Sequence, residues 1–339
     1  MTDRVLPTLE DVALKVDVST STVSRCLNEP WRVAEATRNR VLTAVAELGY
    51  SPNFGAQVLA AKRTNTFGAI VPTMSNAIFA RGLQAFQDEL MRNSATMLVS
   101  SSSYDAQIEE HQIRTLVARG ADGLLLIGKR RSKSIYKFLE GRGIPVVMAW
   151  TIGKAHPWSY VGFDNAAGSA SLAARAVELG HRRFAFLSGE RAMNDRASDR
   201  VRGVVRVLRQ NDLEHSGMCI IESAYTFDAA GDAFQRIMES SPRPTIVMCG
   251  NDVQAVGALK RAQALGICVP EEVSITGFDD VELATVVEPG LTTVHVPHRE
   301  MGRRAAELLL AQVAGECGPK RIKLQTHVVE RQSLAPPGG

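Results

Sequence analysis

The stretch Leu9–Asn28 reads LEDVALKVDVSTSTVSRCLN and predicts two short helices that meet at a tight turn. Thr8 is placed to cap the first helix, and Ser19 is placed to cap the second. Val23 and Leu27 give the second helix an apolar side, while its other residues are small and polar apart from one arginine. This pattern is typical of a helix-turn-helix, which presents hydrogen-bonding side chains to base edges in the major groove. A small helical cap on an enzyme is the alternative that a helix pair leaves open.

A third helix is predicted to run to Leu48, and Gly49 to end it as a residue that tolerates positive φ. Pro52 disfavours helical geometry at the residue before it and suits the start of another helix. The segment 53–59 has the length of about two helical turns. The polar residues 62–65 then read as a linker.

After Thr66 the pattern changes to short apolar runs separated by amphipathic segments of helical length. The runs are Phe67–Val71, Met97–Val99, Leu124–Ile127, Val146–Ala149, Phe184–Leu187, Ile246–Cys249 and Val273–Phe278, and the helical segments include Phe79–Met91, Ile108–Arg119, Ala166–Leu179, Asp199–Gln210 and Val253–Leu265. This alternation predicts α/β architecture with parallel sheets covered on both faces. Because the region is long for one sheet, we expect two doubly wound lobes, with ligand chemistry where the strands end.

The composition fits a soluble globular chain of two or three domains: 339 residues, 45% hydrophobic, 22% charged and a net charge of +3. This composition excludes a disordered chain, and near-neutral charge is weak evidence against nucleic-acid binding. No apolar run reaches the length of a membrane span, and the first residues lack a signal-peptide pattern, so we expect a cytoplasmic protein. Five scattered cysteines without a C-x-x-C spacing indicate neither a disulfide framework nor a zinc site.

The chain resembles the LacI/GalR family of repressors in a long, ordered series of motifs. They are Leu9-Glu10-Asp11-Val12-Ala13, Val18 to Asn28, Val33, Thr37-Arg38, Val41, Leu48-Gly49-Tyr50, Ser51-Pro52-Asn53, Ile70-Val71-Pro72, Gly120 to Gly123, Gly180-His181, Gly250-Asn251-Asp252, Gly277 to Asp280 and Leu291 to Val294. The string V-S-x-x-T-V-S-R followed by Y-x-P-N is highly specific. The resemblance covers nearly the whole chain and implies a homodimeric or larger repressor of double-stranded operator DNA.

The resemblance also implies which residues touch DNA. The matching positions are Thr20, Ser21, Thr22, Ser24, Arg25, Asn28, Asn53, Gln57 and Leu59. Thr20 and Ser21 match the base-reading positions, and Arg25 matches a nearly fixed arginine. Leu59 falls where the family's hinge helix inserts a leucine into the minor groove, a contact that kinks DNA.

Three departures from the family pattern affect local stability. Gly55 stands in the hinge helix where an apolar side chain is usual, at a cost of about 0.5–1 kcal/mol relative to alanine. Asp17 replaces the glycine of the turn, so we expect a mildly strained turn with the motif retained. Ala34 lacks the hydroxyl that commonly caps the third helix.

The implied organisation is a helix-turn-helix headpiece over residues 1–50, a hinge helix and linker over 51–65, and a core over 66–339. The core is expected to resemble periplasmic sugar-binding proteins, with an N-lobe of about 66–162 plus 294–322 and a C-lobe of about 163–291 plus 325–339. A small metabolite in the cleft between the lobes would control operator affinity. A solute-binding protein or an enzyme on a similar scaffold is the alternative.

The expected effector-binding residues are Phe79, Trp150, Phe163, Arg200, Asn251 and Asp279. A guanidinium, an amide and a carboxylate in one cleft suit a polyol or a sugar acid. Trp150 stands where many sugar-responsive relatives have an aspartate, which argues against a simple neutral hexose. Together with the segment 161–165 this favours a subgroup like the gluconate repressor, with an acidic sugar held by Arg200.

Other features indicate no chemistry of their own. The pair His295-x-x-His298 has no third ligand nearby and is interpreted as solvated or packed histidines. Ser100–Ser103 is expected to be a plain polar strand-end loop, and Lys129–Arg131 a solvated loop. The sequence contains no nucleophile elbow, P-loop or dinucleotide fingerprint, so we expect neither an enzyme nor a cofactor.

Overall fold

The structure is a computed structural model that describes residues 7–51, 63–154, 157–213 and 218–338. The chain divides into two compact units, Met1–Thr64 and Asn65–Gly339. The predicted hinge residues Asn53, Gly55, Gln57 and Leu59 lie outside the described residues.

The first unit is all helical within its described residues. It contains α1 (Leu9–Val16), α2 (Thr20–Asn28), a 3₁₀ turn (Pro30–Arg32) and α3 (Glu35–Leu48). Thr8 and Asp11 form the expected reciprocal capping box of α1. Gly49 adopts a φ of +64° and ends α3.

A small apolar cluster joins the three helices. Its buried members are Val12, Ala13, Val16, Val23, Cys26, Val41 and Ala44. They come from α1, α2 and α3, so no helix of this unit buries its apolar side alone. The packing fixes the angle at which α2 projects its polar side to solvent.

The first sheet of the second unit has six strands in the order β11-β5-β4-β3-β1-β2, and all of its neighbours are parallel. These strands are β1 (Thr66–Val71), β2 (Thr96–Ser101), β3 (Gly123–Ile127), β4 (Val146–Ala149), β5 (Ser159–Gly162) and β11 (Arg321–Lys323). The helices α4 (Ala77–Arg92), α5 (Ala106–Ala118) and α6 (Lys133–Arg142) connect the first four strands. Strands β1, β3, β4 and β5 are buried along their length, as a sheet covered on both faces requires.

The second sheet has four parallel strands in the order β7-β6-β8-β9. They are β6 (Phe184–Ser188), β7 (Cys219–Glu222), β8 (Ile246–Cys249) and β9 (Ser274–Thr276). The helices that accompany them are α7 (Asn165–Glu178), α8 (Asp195–Gln210), α9 (Phe227–Met238), α10 (Asp252–Ala264) and the short α11 (Leu283–Val286). The α/β fold with two doubly wound parallel sheets and a helical headpiece is thereby confirmed.

The chain passes between the two sheets three times. The first passage follows β5, and the second follows β9 through β10 (Thr293–His295) to α12 (His298–Ala314), which packs on α4. The third passage leaves β11 for β12 (His327–Val329), which pairs antiparallel with β10. After β12 the chain returns to the second sheet, where the Ile275 N–H donates to the Ser333 carbonyl oxygen.

The predicted strands and helices are found at nearly the predicted places. The run from Val273 was predicted too long, because Gly277 and Phe278 already belong to the strand-end loop. The short strands β5 and β7 were not singled out from the sequence. Within the described residues, no helix is long and apolar enough to cross a bilayer.

Candidate functional sites

The helix-turn-helix surface is formed by α2 and the turn before it. Asp17 has a φ of +51°, the left-handed conformation that the family's glycine would adopt more easily, so the expected strain at the turn is confirmed. Ser19 then caps α2 by accepting a hydrogen bond from the Thr22 N–H at 3.1 Å. The turn and the cap together fix where the first residues of α2 lie.

All six described residues of the predicted DNA surface lie on α2 and are exposed or half-buried. They are Thr20, Ser21, Thr22, Ser24, Arg25 and Asn28. The Ser19 hydroxyl lies 2.8 Å from the Ser21 hydroxyl and 2.9 Å from that of Thr22. At the other end of α2, Asn28 Nδ2 donates to Ser24 Oγ at 3.3 Å. The surface is therefore a row of hydroxyls with one guanidinium, from Arg25, next to them.

The start of α3 lacks a side-chain cap, as predicted. Ala34 has a backbone conformation suited to an N-cap, with φ −57° and ψ 139°, but no side-chain hydrogen bond. Arg40, on α3, donates a hydrogen bond to the Val16 carbonyl at the end of α1. This bond ties α3 to the first helix of the motif.

A small cavity lies between the two sheets of the second unit, and we call it the inner chamber. It is lined by Asn76, Ile78, Phe79, Tyr104, Asn194, Arg196, Ala197, Arg200, Tyr225, Asn251 and Asp279. Every one of these residues follows the carboxyl end of a strand, in α4, in α8, at the start of α10 or in a loop. This is where open α/β sheets bind ligands.

Four of the six predicted effector residues line the inner chamber: Phe79, Arg200, Asn251 and Asp279. Asn76, Tyr104, Asn194, Arg196 and Tyr225 also line it and were not predicted. Arg196 had a usable signal, because it lies four residues before Arg200 and so shares its helix face. The tyrosines lie in loops with no such periodicity.

Arg200 is held by the protein on all sides. Its Nε donates to Asn165 Oδ1 at 2.9 Å, and its Nη1 donates to the Gly250 carbonyl. Its Nη2 lies 3.4 Å from Asp279 Oδ1, and the guanidinium carbon lies 3.8 Å from the centroid of the Phe278 ring. Arg200 therefore organises the floor of the inner chamber with much of its hydrogen-bonding capacity already used.

Arg196 is less constrained. Arg196 is 8% exposed. Within the described residues, its guanidinium donates one hydrogen bond, from Nη1 to Asp195 Oδ1 at 3.2 Å. Gly128, at a φ of +76°, makes room for it, because a Cβ there would come within 2.0 Å of Arg196 Nη1. Arg196 thus has N–H groups available to an anionic or hydroxylated ligand.

Asp279 supplies a carboxylate to the same chamber. It is 1% exposed and has a φ of +111°, a conformation rare for a residue with a side chain. Its Oδ2 has no hydrogen-bond partner. Burial raises the pKa of Asp279 to about 6, although Arg200 and Arg196 oppose this change. At neutral pH a charged, incompletely paired carboxylate therefore borders the chamber.

Trp150 and Phe163 lie behind the chamber wall. Trp150 is fully buried, contacts Phe79 edge-on and donates from Nε1 to His298 Nδ1 at 3.1 Å. Phe163 is also fully buried and stacks on Phe278, beneath Arg200. Trp150 therefore supports the lining residue Phe79, and Phe163 supports Phe278, on which the guanidinium of Arg200 lies.

His298 and Asp279 stand close together at the chamber floor. His298 Nε2 lies 3.9 Å from Asp279 Oδ1. Burial, together with the charge of Arg200, lowers the pKa of His298 to about 3, so its imidazole is neutral at physiological pH. The histidine therefore does not neutralise Asp279.

Asp195 connects the two sheets beside the chamber. Its Oδ2 accepts from the Thr151 hydroxyl at 3.0 Å and from the Lys129 N–H at 3.2 Å. Burial opposes ionisation of this carboxyl, but Arg196 and the two donors hold its pKa below the usual value. The carboxylate thus bridges a loop of the first sheet and a helix of the second.

The prediction that Lys129–Arg131 is a solvated loop is wrong for much of the segment. The side chain of Arg131 is 2% exposed and pairs with Glu109 at 2.8 Å, because the loop folds back over α5. Arg130 donates to the carbonyls of Arg191 and Ala192 at 2.7 Å. Sequence reasoning missed these contacts since their partners are distant in the chain.

The other two secondary features behave as packed or polar groups. His298 is buried, and His295 Nδ1 lies 2.9 Å from Asp280 Oδ2. Across residues 7–51, 63–154, 157–213 and 218–338, no group of three or more potential ligands is arranged to hold a metal ion. The predicted loop 100–103 begins later than expected, because Ser100 and Ser101 still belong to β2. Ser102 borders a second cavity, which shares Tyr104 and Arg196 with the inner chamber.

Comparison with known sequence families matches both parts of the chain. Residues 8–53 match the family model "Bacterial regulatory proteins, lacI family". Residues 173–334 match a "Periplasmic binding protein-like domain". The two matches agree with a helix-turn-helix unit followed by a two-sheet core.

Similar proteins extend over nearly the full length. The "HTH-type transcriptional repressor PurR" of Aliivibrio fischeri (strain MJ11) is 32% identical over 335 residues, which cover 97% of this chain and 98% of the relative. A transcriptional regulator of this family from Silicibacter pomeroyi is 29% identical with a TM-score of 0.87, covering 97% and 99% of the two chains. A complex of the regulator CelR with cellobiose is 29% identical with a TM-score of 0.71, covering 96% and 99%.

Proposed function

The chain belongs to the LacI family of bacterial DNA-binding transcriptional repressors, and we propose that its effector is a small sugar acid or sugar bound in the inner chamber. Its target genes would then serve the catabolism of that compound. We propose the identity of the effector and of the target genes. DNA binding and an effector-binding core follow from family membership.

The observation that carries this proposal is the unpartnered Oδ2 of Asp279 in a cavity that the guanidinium of Arg196 also lines. Ligand hydroxyls can donate to the carboxylate, and a ligand carboxylate can accept from the arginine. Asn251 and Asn194 add amides to the same wall.

The family resemblance predicts that Arg200 binds the ligand carboxylate. Arg200 already donates to Asn165 and Gly250 and approaches Asp279, so we assign the carboxylate to Arg196 instead. In this proposal Arg200 contacts ligand hydroxyls and holds Asp279 in place. The solved complex of a similar regulator with cellobiose supports a carbohydrate as the ligand class.

A nucleobase is the second candidate. Three aromatic rings, those of Phe79, Tyr104 and Tyr225, line the inner chamber, and such rings stack on planar heterocycles. The relatives named PurR, at 31–33% identity, point the same way. The unpartnered Oδ2 of Asp279 favours the polyol, because several hydroxyl donors can meet this oxygen better than the edge of a flat ring can.

Titration calorimetry with the full-length protein separates these ligands. Gluconate and glucose represent the first class, and hypoxanthine and guanine the second. We expect saturable binding of gluconate, and loss of that binding in Arg196→Ala with the fold retained. Binding of a nucleobase and of no sugar would replace the first candidate with the second.

We further propose that the protein reads its operator as a homodimer. The edge strand β2 exposes Leu98 and Val99, at 37% and 38%, and Met91 on neighbouring α4 is 63% exposed. An exposed apolar edge strand is normally covered in the working assembly. A second copy of the chain would cover it and place two α2 helices for a two-fold operator.

Sedimentation of Leu98→Lys tests the dimer. Lysine at this edge should shift the protein to the monomer and weaken operator binding, because two half-sites are no longer linked. Ile108→Lys, at a site of similar exposure on α5, is the matched control and should stay dimeric. A dimer that survives Leu98→Lys would move the interface elsewhere.

An effector acts here by preferring one arrangement of the two lobes. A tenfold change in operator affinity needs about 1.4 kcal/mol of differential binding between the two states. The residues Asn53, Gln57 and Leu59 are expected to carry this change to DNA on sequence grounds alone. Leu59→Ala should weaken operator binding in a gel-shift titration and leave effector affinity unchanged.

A further inference from the structure

The helical unit exposes one large aromatic side chain. Trp31 is 75% exposed, whereas the apolar cluster that joins α1, α2 and α3 is buried. Single exposed apolar residues are common on protein surfaces, but a tryptophan gains much free energy when a partner covers its large ring. Trp31 is therefore an apolar group of this unit that would gain from an outside contact.

The turn that carries Trp31 is fixed by the protein itself. It is the 3₁₀ turn Pro30–Arg32, and the proline at its start restricts the backbone. The Arg32 N–H donates to the Glu29 carbonyl at 2.9 Å, and Val33 packs against the apolar cluster of the unit. A partner that covers the ring thus pays little to order the backbone beneath it.

Trp31 extends the exposed row of α2 past the end of that helix. Arg25 and Asn28 are exposed, and Trp31 follows them at the same interval of three residues. A recognition helix reads base edges with the residues of its N-terminal part, which here begins at Thr20. A side chain beyond the other end of α2 is placed for the sugar–phosphate backbone beside the half-site.

The charge of the helical unit gives it little general attraction to DNA. Over residues 7–51, six acidic side chains stand against five basic ones. The acidic residue just before the turn, Glu29, pairs with Arg32 at 3.0 Å. Because affinity from phosphate neutralisation needs an excess of cations, this unit gains from contacts of another kind.

We propose that Trp31 is a further DNA contact, whose indole ring packs on the deoxyribose–phosphate backbone beyond the end of α2. The contact does not read base sequence, because every nucleotide presents the same backbone. An uncharged ring releases no counterions from DNA, so its contribution does not depend on salt. This inference rests on the DNA binding of the family and is independent of the effector.

The first test measures affinity by fluorescence anisotropy with the full-length protein. The probes are a labelled duplex of random sequence and an operator duplex that the protein selects from a random pool. Trp31→Ala should weaken binding of both duplexes about tenfold, the order expected when part of a large ring is no longer covered. The slope of log affinity against log salt should not change, and Trp31→Phe should retain most of the affinity.

Leu14→Ala is the matched control. Leu14 lies on α1 and is 76% exposed, so the change removes an apolar side chain of similar exposure from the same unit. Both duplexes should bind this variant as they bind the unchanged protein. Thermal melts of the two alanine variants should also match, because neither side chain is buried.

Quenching of fluorescence by acrylamide tests the contact directly. The other two tryptophans, Trp150 and Trp158, are fully buried and half-buried, so Trp31 should be the most accessible to the quencher. The random duplex should protect this emission at saturating protein–DNA ratios. In Trp31→Phe the same DNA should leave the quenching unchanged.

The remaining outcomes overturn the proposal. Unchanged affinity in Trp31→Ala, or an equal loss in Leu14→Ala, would show that the ring makes no specific contact with DNA. A loss limited to the operator would make Trp31 a base-reading residue, and a shallower salt slope would show that charged contacts were lost instead. Protection of Trp31 from acrylamide without DNA would show that the protein itself covers the ring.

Discussion

The helix α2, which is proposed to read DNA, and the inner chamber, which is proposed to bind the effector, use their polar side chains in opposite ways. The residues of α2 that face solvent carry hydroxyls with one guanidinium, from Arg25, next to them, and several of these hydroxyls bond only to neighbouring exposed side chains. The chamber contains buried charges, and Arg200 there is bonded to the protein on several sides. A surface that binds a polyanion can remain polar and exposed to solvent. In a buried cleft, each charged group left without a partner costs free energy, so most charges there are paired within the protein.

The difference predicts where substitutions damage folding and where they damage only binding. On α2, a side chain can be removed without leaving a buried group unpaired. In the chamber, removing one member of the Arg200 and Asp279 pair leaves the other buried in the core. The following predictions test that contrast, beginning with the largest expected effect.

Arg200→Ala should lower the free energy of unfolding of the core by about 3–5 kcal/mol, because it leaves Asp279 buried without its cation. Urea unfolding followed by circular dichroism measures the change. Arg202→Ala is the control: Arg202 is 66% exposed and pairs with Asp199, so its loss should cost at most about 1 kcal/mol. Similar small losses in both variants would show that Arg200 is not structural.

Arg25→Ala should weaken operator binding by about 1–3 kcal/mol, the range for a base contact or a strong polar contact to DNA. Thermal stability should not change, because Arg25 is exposed on α2. Fluorescence anisotropy with labelled operator gives the affinity. Lys15→Ala, which removes a cation paired with Glu47, controls for bulk charge, and an equal loss there would contradict a specific role for Arg25.

Ala34→Ser should stabilise the helical unit by about 1 kcal/mol, since serine can accept the free N–H groups at the start of α3. Ser19→Ala should destabilise the same unit by a similar amount, because it removes the cap of α2. Thermal melts of both variants measure the changes. No gain from serine at position 34 would indicate that this helix end is satisfied by solvent.

Effector affinity should fall about fourfold between pH 7.5 and pH 5.5 if only the ionised form of Asp279 binds ligand. The raised pKa of about 6 means that the carboxylate is charged above that pH and becomes protonated below it. His298, with a pKa of about 3, stays neutral across the range, and the raised pKa of Asp252, about 8, keeps that carboxyl largely protonated. Calorimetry at both pH values checks the effect, and Asp279→Asn should flatten the profile.

The same contrast explains what the sequence could predict. The helix-turn-helix lies within one continuous stretch, so caps, spacing and motif all appear together between Thr8 and Asn28. The alternation of strands and helices likewise depends on local periodicity and located most elements of the core. These parts of the fold need no knowledge of distant contacts.

The chamber assembles residues from several separate strand ends, which no local pattern connects. Phe79, Arg200, Asn251 and Asp279 were found through the family resemblance. Tyr104 and Tyr225 were missed because their loops carry no periodicity, and Trp150 was assigned to the ligand although it lies behind the wall. The pairing of Arg131 with Glu109 depends on how a loop folds back, which spacing does not encode.

The three passages of the chain between the two sheets make the core a mechanical linkage. Two lobes joined by a single strand could twist and slide relative to each other, whereas three connections, two of them tied by the pairing of β10 with β12, restrict such motion. A ligand that acts by closing the cleft, as proposed, would therefore displace the lobes in a direction that these connections set. Substitutions in the chamber would then change which compound binds and leave the direction of that displacement unchanged.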